Sequence, residues 1–288
     1  MSTNRDIQLD AGAAWEMASA LPAARLRPYV HNYVGYVERA ANLSRRRTLP
    51  SGKVVLIIGG GEPLRITSPG DAPGDSHQHR SFVAALNDAP GSYEWQGESR
   101  GVQVDLTPLG ARMIFGVPMH ELTNRACELD DLLGPDVRTL ASRVVAAPDY
   151  DTAFDLLDEA LVSRAACATP PSEAAAWVWR QIERTGGNAS IGALATEIGW
   201  SRKHLVEVFR DQVGLAPKTA ARVLRFARAM ELLSAPAVCL ADVAARCGYY
   251  DQAHFCREVA AFSGSTPGEI LAGLHGEAPA GTGDPSRG

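Results

Sequence analysis

Long apolar runs are missing from this chain. The best of them, Val54 to Ile58, falls far short of the ~20 residues a bilayer-crossing helix needs, so no membrane contact is expected. Met1 to Leu21 holds no basic segment followed by an apolar stretch, so no secretory leader is expected either. Cysteine is scarce: Cys127, Cys167, Cys239, Cys247 and Cys256 are five among 288 residues, without a CxxC pair. An odd, scattered set argues against a disulfide framework and a zinc knuckle, and suits a reducing cytoplasm. The last three fall at core or edge positions of helical patterns, where they read as small buried hydrophobes rather than redox sensors. Gly59-Gly60-Gly61 is followed by no GK[ST], so it is a turn between strands and not a phosphate loop. No nucleophile and base stand in a defensible arrangement. An enzyme is therefore not expected, nor a cofactor.

Positive charge is also short. The net charge is −5, and from Ser190 to Ile270 nine Lys and Arg face eight Asp and Glu. That stretch is the less acidic part of the chain but is hardly basic. Affinity for phosphate would then depend on the cations sharing one face, for which Arg202, Lys203, Arg210, Lys218, Arg222 and Arg225 are the candidates. His77-Gln78-His79 has the spacing of a strand-borne metal pair, yet Ala84 stands where a cupin-type glutamate would be wanted. The Pro-, Gly- and Asp-rich surroundings favour a solvated loop, and no metal site is expected.

What is present is a sequence in two characters. Residues 1–25 read as a poorly structured or partly helical lead-in. From Leu26 to Thr107, β-branched and alternating segments (Tyr29 to Val37, Lys53 to Ile58, and Val102, Val104 and Leu106) are punctuated by Gly and Pro turns, which predicts a small sheet or barrel. Helical spacing then appears at 136–147 and 151–164, with a short loop that predicts antiparallel pairing. Thr169-Pro170-Pro171-Ser172 reads as a linker, and Gly276 to Gly288 as a disordered tail. The fold class expected is α+β. A β-rich domain with trailing helices spans 26–168, and an all-α domain of two units joined by a linker helix spans 173–274.

The two units are the most informative feature. In the first, Ile191, Leu194, Ala195 and Ile198 make one buried stripe, Gly199 a tight turn, and Ser201 an N-cap. The following helix buries Leu205, Val208 and Phe209, which leaves Arg202, Lys203, Val206, Glu207 and Arg210 facing outward. In the second, Leu240, Val243, Ala244 and Cys247 bury, Asp251 caps, and Phe255, Val259 and Phe262 turn inward. Gln252, Ala253, His254, Cys256 and Arg257 are left outside or at the edge. Such a unit presents one helix to a DNA major groove, where Gln pairs with adenine, Arg with guanine, and Val packs on a thymine methyl. An unbroken helix from Pro217 to about Ser234 would space the two.

The stretch from Ser190 to Ile270 resembles the DNA-binding domain of the AraC/XylS family of bacterial transcription regulators. The matching pieces are Leu194-Ala195, Gly199, Ser201, His204-Leu205, Phe209, Gly214-Leu215-Ala216-Pro217, Arg225, Leu232-Leu233, Cys247-Gly248-Tyr249, His254-Phe255, Arg257, Phe262, Gly264 and Thr266-Pro267. Glu207 departs where many members place a base-reading donor, and Ala260 where a phosphate-binding Lys or Arg is common. Leu26-Arg27-Pro28-Tyr29-Val30, Leu49-Pro50-Ser51-Gly52 and Pro118-Met119-His120-Glu121-Leu122-Thr123 resemble the sensor half of the same family, which implies that 26–168 is a cupin-like sensor and dimerisation domain. The resemblance implies double-stranded DNA as partner, a small-molecule effector, a homodimer, and contact with RNA polymerase. Tyr33, Arg47, Trp95 and Gln103 are candidates for the effector site by position and chemistry. Two enzymatic alternatives remain: a cupin-type metal enzyme with an accessory DNA-binding domain, and a DNA-repair methyl acceptor, whose zinc-held cysteines would lie near the N-terminus.

Overall fold

The computed structural model describes residues 4–10, 13–235 and 238–274. The expected disordered tail lies outside the described residues. Among the described residues the first half holds nine strands: β1 Asn4–Asp10, β2 Ala13–Ala20, β3 Val30–Thr48, β4 Val54–Gly61, β5 Leu64–Thr67, β6 His77–His79, β7 Phe82–Ala84, β8 Gly91–Leu106 and β9 Ala126–Glu128. Every pairing is antiparallel, in the order β1-β2-β3-β8-β4-β7-β9, with β5 joining β6 to β8. Residues 4–10 and 13–20 are thus sheet rather than a loose lead-in. The β3 backbone gives β2 its partners, from Glu16 opposite Val37 to Ala20 opposite Tyr33. A stretch of small alanines carried too weak an apolar alternation to announce that pairing.

The sheet has two buried faces. In β4, Val54, Leu56 and Ile58 pack into the large core beneath the helices, while Ile57, with the half-buried Val55, joins a second cluster containing Leu64, Ile66, Phe82 and Trp95. This period-two alternation is what a doubly covered strand requires. The second cluster exists because β3 and β8 do not run straight. Their ladder slips between Ala40 and Ser44, and Glu38 bonds Arg46 at 2.9 Å although both lie on β3. Eight residues of straight strand would separate them by roughly 26 Å, so the ribbon folds over on itself and encloses a space.

The helices of this half are α1 Pro108–Phe115, α2 Met119–Leu122, α3 Leu129–Leu133, α4 Val137–Val145 and α5 Tyr150–Cys167. Asp149 caps α5 by accepting from the Thr152 N–H, and Phe154, Leu157 and Leu161 bury against the sheet and α4. Ser172 caps α6 Glu173–Arg184 in the same manner. The rest is all helical: α7 Ile191–Glu197, α8 Arg202–Val213, α9 Pro217–Leu233, α10 Leu240–Arg246, α11 Gln252–Ser263 and α12 Pro267–Leu274. No helix among the described residues is long and apolar enough to cross a membrane.

The two halves share one continuous apolar core and several polar contacts. α8 lies against α1 and α2, with Arg112 3.5 Å from Asp211. Gly214 ends α8 at φ 101, and a Cβ there would come within 2.7 Å of Thr123 Oγ1. Only glycine satisfies both the backbone and the contact.

Candidate nucleic-acid interface and an enclosed cavity

The first unit follows from its caps. Ser190 accepts from the Ala193 N–H to start α7, Gly199 turns the chain at φ 70, and Ser201 accepts from the His204 N–H to start α8. Leu205, Phe209 and Val213 are fully buried, which fixes the rotation of α8 about its axis. Arg202, Lys203, Val206, Glu207 and Arg210 then all face solvent, as the helical spacing predicts. Arg202 leans over α7, where Gly192 leaves room for its guanidinium.

The second unit repeats the plan. Gly248 turns at φ 76, and Asp251 accepts from the His254 N–H at 2.6 Å to start α11. Phe255, Val259 and Phe262 are buried beneath it. Gln252, Ala253 and Arg257 are exposed, whereas His254 and Cys256 are half-buried. His254 sits edge-on to Tyr249 and 3.8 Å from Glu258, so part of its ring is turned away from the open face. The sequence reading missed Tyr250, which stands immediately before the cap and is 92% exposed. An aromatic side chain left in water at the entry of a reading helix was the available signal.

Two of the six cations expected to share a phosphate-facing surface are engaged elsewhere. Arg222 lies 2.6 Å and Arg225 3.2 Å from the carboxylate of Glu258, whose side chain is only 8% exposed. Their guanidiniums also stack on Phe262 and Tyr249. These residues lock α9 to α11 and are not free for phosphate. Glu258 was invisible in sequence because a carboxylate on a helix usually marks a solvated face. A separate tie joins the segment between α6 and α7 to the end of α10, Asn188 donating to the Cys247 carbonyl at 3.1 Å where Gly248 leaves space for it.

The folded-over sheet forms a half-open cavity of about 360 Å³, lined by apolar residues such as Ile57, Leu64, Ile66 and Phe82, with Tyr36, Glu38, Arg46, Tyr93 and Gln103 among them. Of the four residues expected to bind an effector, Gln103 lines it and donates to Asp105, which also receives Lys53. Tyr33 does not. It is fully buried on the other face of β3 and donates to Asp158 at 2.7 Å, which with burial holds its phenol protonated far beyond the ordinary range. Trp95 is 3% exposed and forms a wall behind Tyr93, stacked at 5.5 Å. Arg47 points away from the cavity, to the Ser263 carbonyl and to Ser265 Oγ at 2.7 Å. The strand alternation explains the error: Arg46 and Thr48 line the cavity, so Arg47 between them cannot.

His77 and His79 form β6 rather than a solvated loop. His79 is buried and pairs with Glu128 at 2.9 Å, and His77 lies 3.9 Å from Asp71. Among the described residues no group of three or more His, Cys, Asp or Glu is placed to hold a metal ion.

Residues 194–273 match the family described as "Helix-turn-helix domain", and residues 18–128 match a "Domain of unknown function (DUF6597)". No curated protein matches the chain. Among solved structures, ToxT from Vibrio cholerae O395 aligns over 82% of this chain and 98% of its own, at 9% identity and a TM-score of 0.47. The C-terminal domain of AraT, a response regulator from Geobacillus stearothermophilus, aligns over 36% of this chain and 88% of its own, at 18% identity and a TM-score of 0.34. A DNA-binding transcriptional dual regulator from Escherichia coli K-12 aligns over 35% of this chain and 97% of its own, at 20% identity and a TM-score of 0.31.

Proposed function

We propose, from the premise that the C-terminal residues 194–273 form a helix-turn-helix domain of the AraC/XylS type, that the chain is a sequence-specific transcription regulator whose DNA binding responds to a small molecule held in the β domain. The observation that carries the reading is the paired exposure of α8 and α11. Each helix buries its apolar stripe and leaves Arg202, Lys203, Val206, Glu207 and Arg210, or Gln252, Ala253 and Arg257, open to a groove. His254 and Cys256 contribute from the edge of that surface. With Arg222 and Arg225 committed to Glu258, phosphate contacts fall to Arg202, Lys203, Arg210 and Lys218. So small a cation set supports weak nonspecific affinity and a shallow salt dependence.

The effector belongs in the cavity of the folded sheet, which lies in the range of small-molecule sites. Gln103 is its contact from the original four candidates. Arg47 serves instead as the connection to the reading helices, because β3 places it between two cavity residues and against the C-terminal end of α11. Ligand that favours one position of β3 then shifts the population of the DNA-competent arrangement by its differential affinity for the two states. A dimer would pair through α4 and α5, where α5 turns Phe154, Leu157 and Leu161 inward while Val137, Leu140 and Ala141 of α4 remain only half-buried. RNA polymerase is the partner through which bound protein would act on transcription.

A mobility-shift titration with DNA from around its own gene tests the reading. A sequence-dependent shift at low salt, weakened by substitution of Lys203, is expected. Identical affinity for unrelated DNA would contradict it.

A further inference from the structure

The interior of the β domain contains a charge that water barely reaches. The Glu38 side chain is 16% exposed, and burial pushes its carboxyl above the ordinary range while Arg46 pulls it back. Two phenols that feel its charge, Tyr36 and Tyr93, line the cavity around it, with Phe82 on a further wall. Behind Tyr93 stands Trp95, buried, with an indole N–H that finds no acceptor. The Arg46 guanidinium lines the same cavity, hydrogen-bonded to Tyr93, 5.2 Å from the Trp95 ring centroid and 2.9 Å from Glu38. The arrangement is a cation held against an aromatic face beside a carboxylate, and the cation is the protein's own.

We propose that this end of the cavity is a recognition site for an organic cation, an apolar molecule bearing one protonated amine, amidine or guanidine, and that Arg46 is its internal stand-in. The proposal deepens the effector reading above and rests on it for its regulatory meaning.

Exposure decides which partner can leave. Arg46 is 44% exposed on a long stem, so its guanidinium can swing into water at little cost, as surface ion pairs do. Glu38 cannot follow it, and a buried carboxylate left unpaired is strongly unfavourable. An incoming cation solves this by exchanging one partner for another. Ile57, Leu64 and Ile66 receive the apolar body, and the aromatic faces reward a cation more as it is desolvated.

An anionic ligand fits less well. Lys53 is neutralised by Asp105 at 3.1 Å, and Arg125 is exposed at the rim, so neither meets a group placed at the inner end. A carboxylate there would have to share Arg46 with Glu38, whose own charge it would face. Departure of Arg46 would also disturb the residue beside it, Arg47, which holds Ser265.

Calorimetric titration of the full chain with 4-butylbenzamidine, its neutral isostere 4-butylbenzamide and the anion 4-butylbenzoate tests the proposal. The amidine is expected to bind about tenfold or more tightly than the amide, with the benzoate weakest. Glu38→Gln should erase the preference for amidine over amide. Arg46→Ala should improve amidine affinity a few-fold by removing the competitor. Equal affinity for amidine and amide, preference for benzoate, or binding of none of the three to either wild type or Arg46→Ala overturns it. The same ligands added to a mobility-shift assay separate the two readings. Amidine bound without change in DNA affinity removes the effector role and leaves the cation site. A DNA response with no charge preference removes the cation site alone.

Discussion

Arg47 on β3 and Ser265 just past α11 are joined by a hydrogen bond of 2.7 Å, although 218 positions separate them in sequence. The bond is exposed, so Arg47→Ala should lower stability by less than ~1 kcal/mol in a thermal melt. Its larger effect should be on communication. Amide exchange at 259–266 should accelerate, and whatever change in DNA affinity a cavity ligand causes should shrink. A full ligand response in Arg47→Ala would show that the signal travels elsewhere.

Glu258 holds α11 against α9 from a nearly buried position. Removing one partner from such a network leaves two guanidiniums without their carboxylate. Glu258→Ala should cost about 3 kcal/mol in urea unfolding, and Glu258→Gln less. If Glu258→Ala melts as wild type does, α9 and α11 are held together by their apolar contacts alone.

Arg257 is exposed on α11, where a bidentate contact to guanine is the natural role. Arg257→Ala should cost ~1–3 kcal/mol of specific affinity and relax preference at one base pair, with little effect on nonspecific binding. Lys203→Ala should do the reverse, weakening all sequences alike. Competition titrations against substituted sites read both outcomes.

Burial raises the Glu38 carboxyl, so the folded chain holds that proton more tightly than the unfolded chain does. The associated stability is complete below the unfolded value of about 4.5 and is lost as pH rises through the folded one. Glu38→Gln carries no such loss. Its melting temperature relative to wild type should therefore increase between pH 4.5 and pH 7.5. A difference that stays flat, or falls, would place Glu38 in a solvated setting.

The helical half was legible because many of its boundaries are written by local devices. Ser190, Ser201 and Asp251 cap, Gly199 and Gly248 turn, and the apolar stripes keep strict spacing. The sheet was legible only in fragments. Tyr29 to Val37 marked the start of β3, but the strand continues to Thr48 through Arg45, Arg46 and Arg47, a charged run with no apolar alternation to fix its extent. What keeps it extended is its partner, Gly91 to Trp95 of β8, and pairing across that distance leaves no local trace. The same holds for the site. The outward residues of α8 and α11 follow from periodicity, whereas Glu258, Arg47 and the cavity around Glu38 depend on which segments meet in space.

Selection of bound sites from random DNA by the full chain is the most direct test of two reading helices working as a pair. Two short blocks of base preference should emerge with centres about one helical turn, ~10 bp, apart, and Arg257→Ala should blur one block while leaving the other sharp. A single block, or enrichment of no sequence at all, would contradict a chain that reads successive grooves.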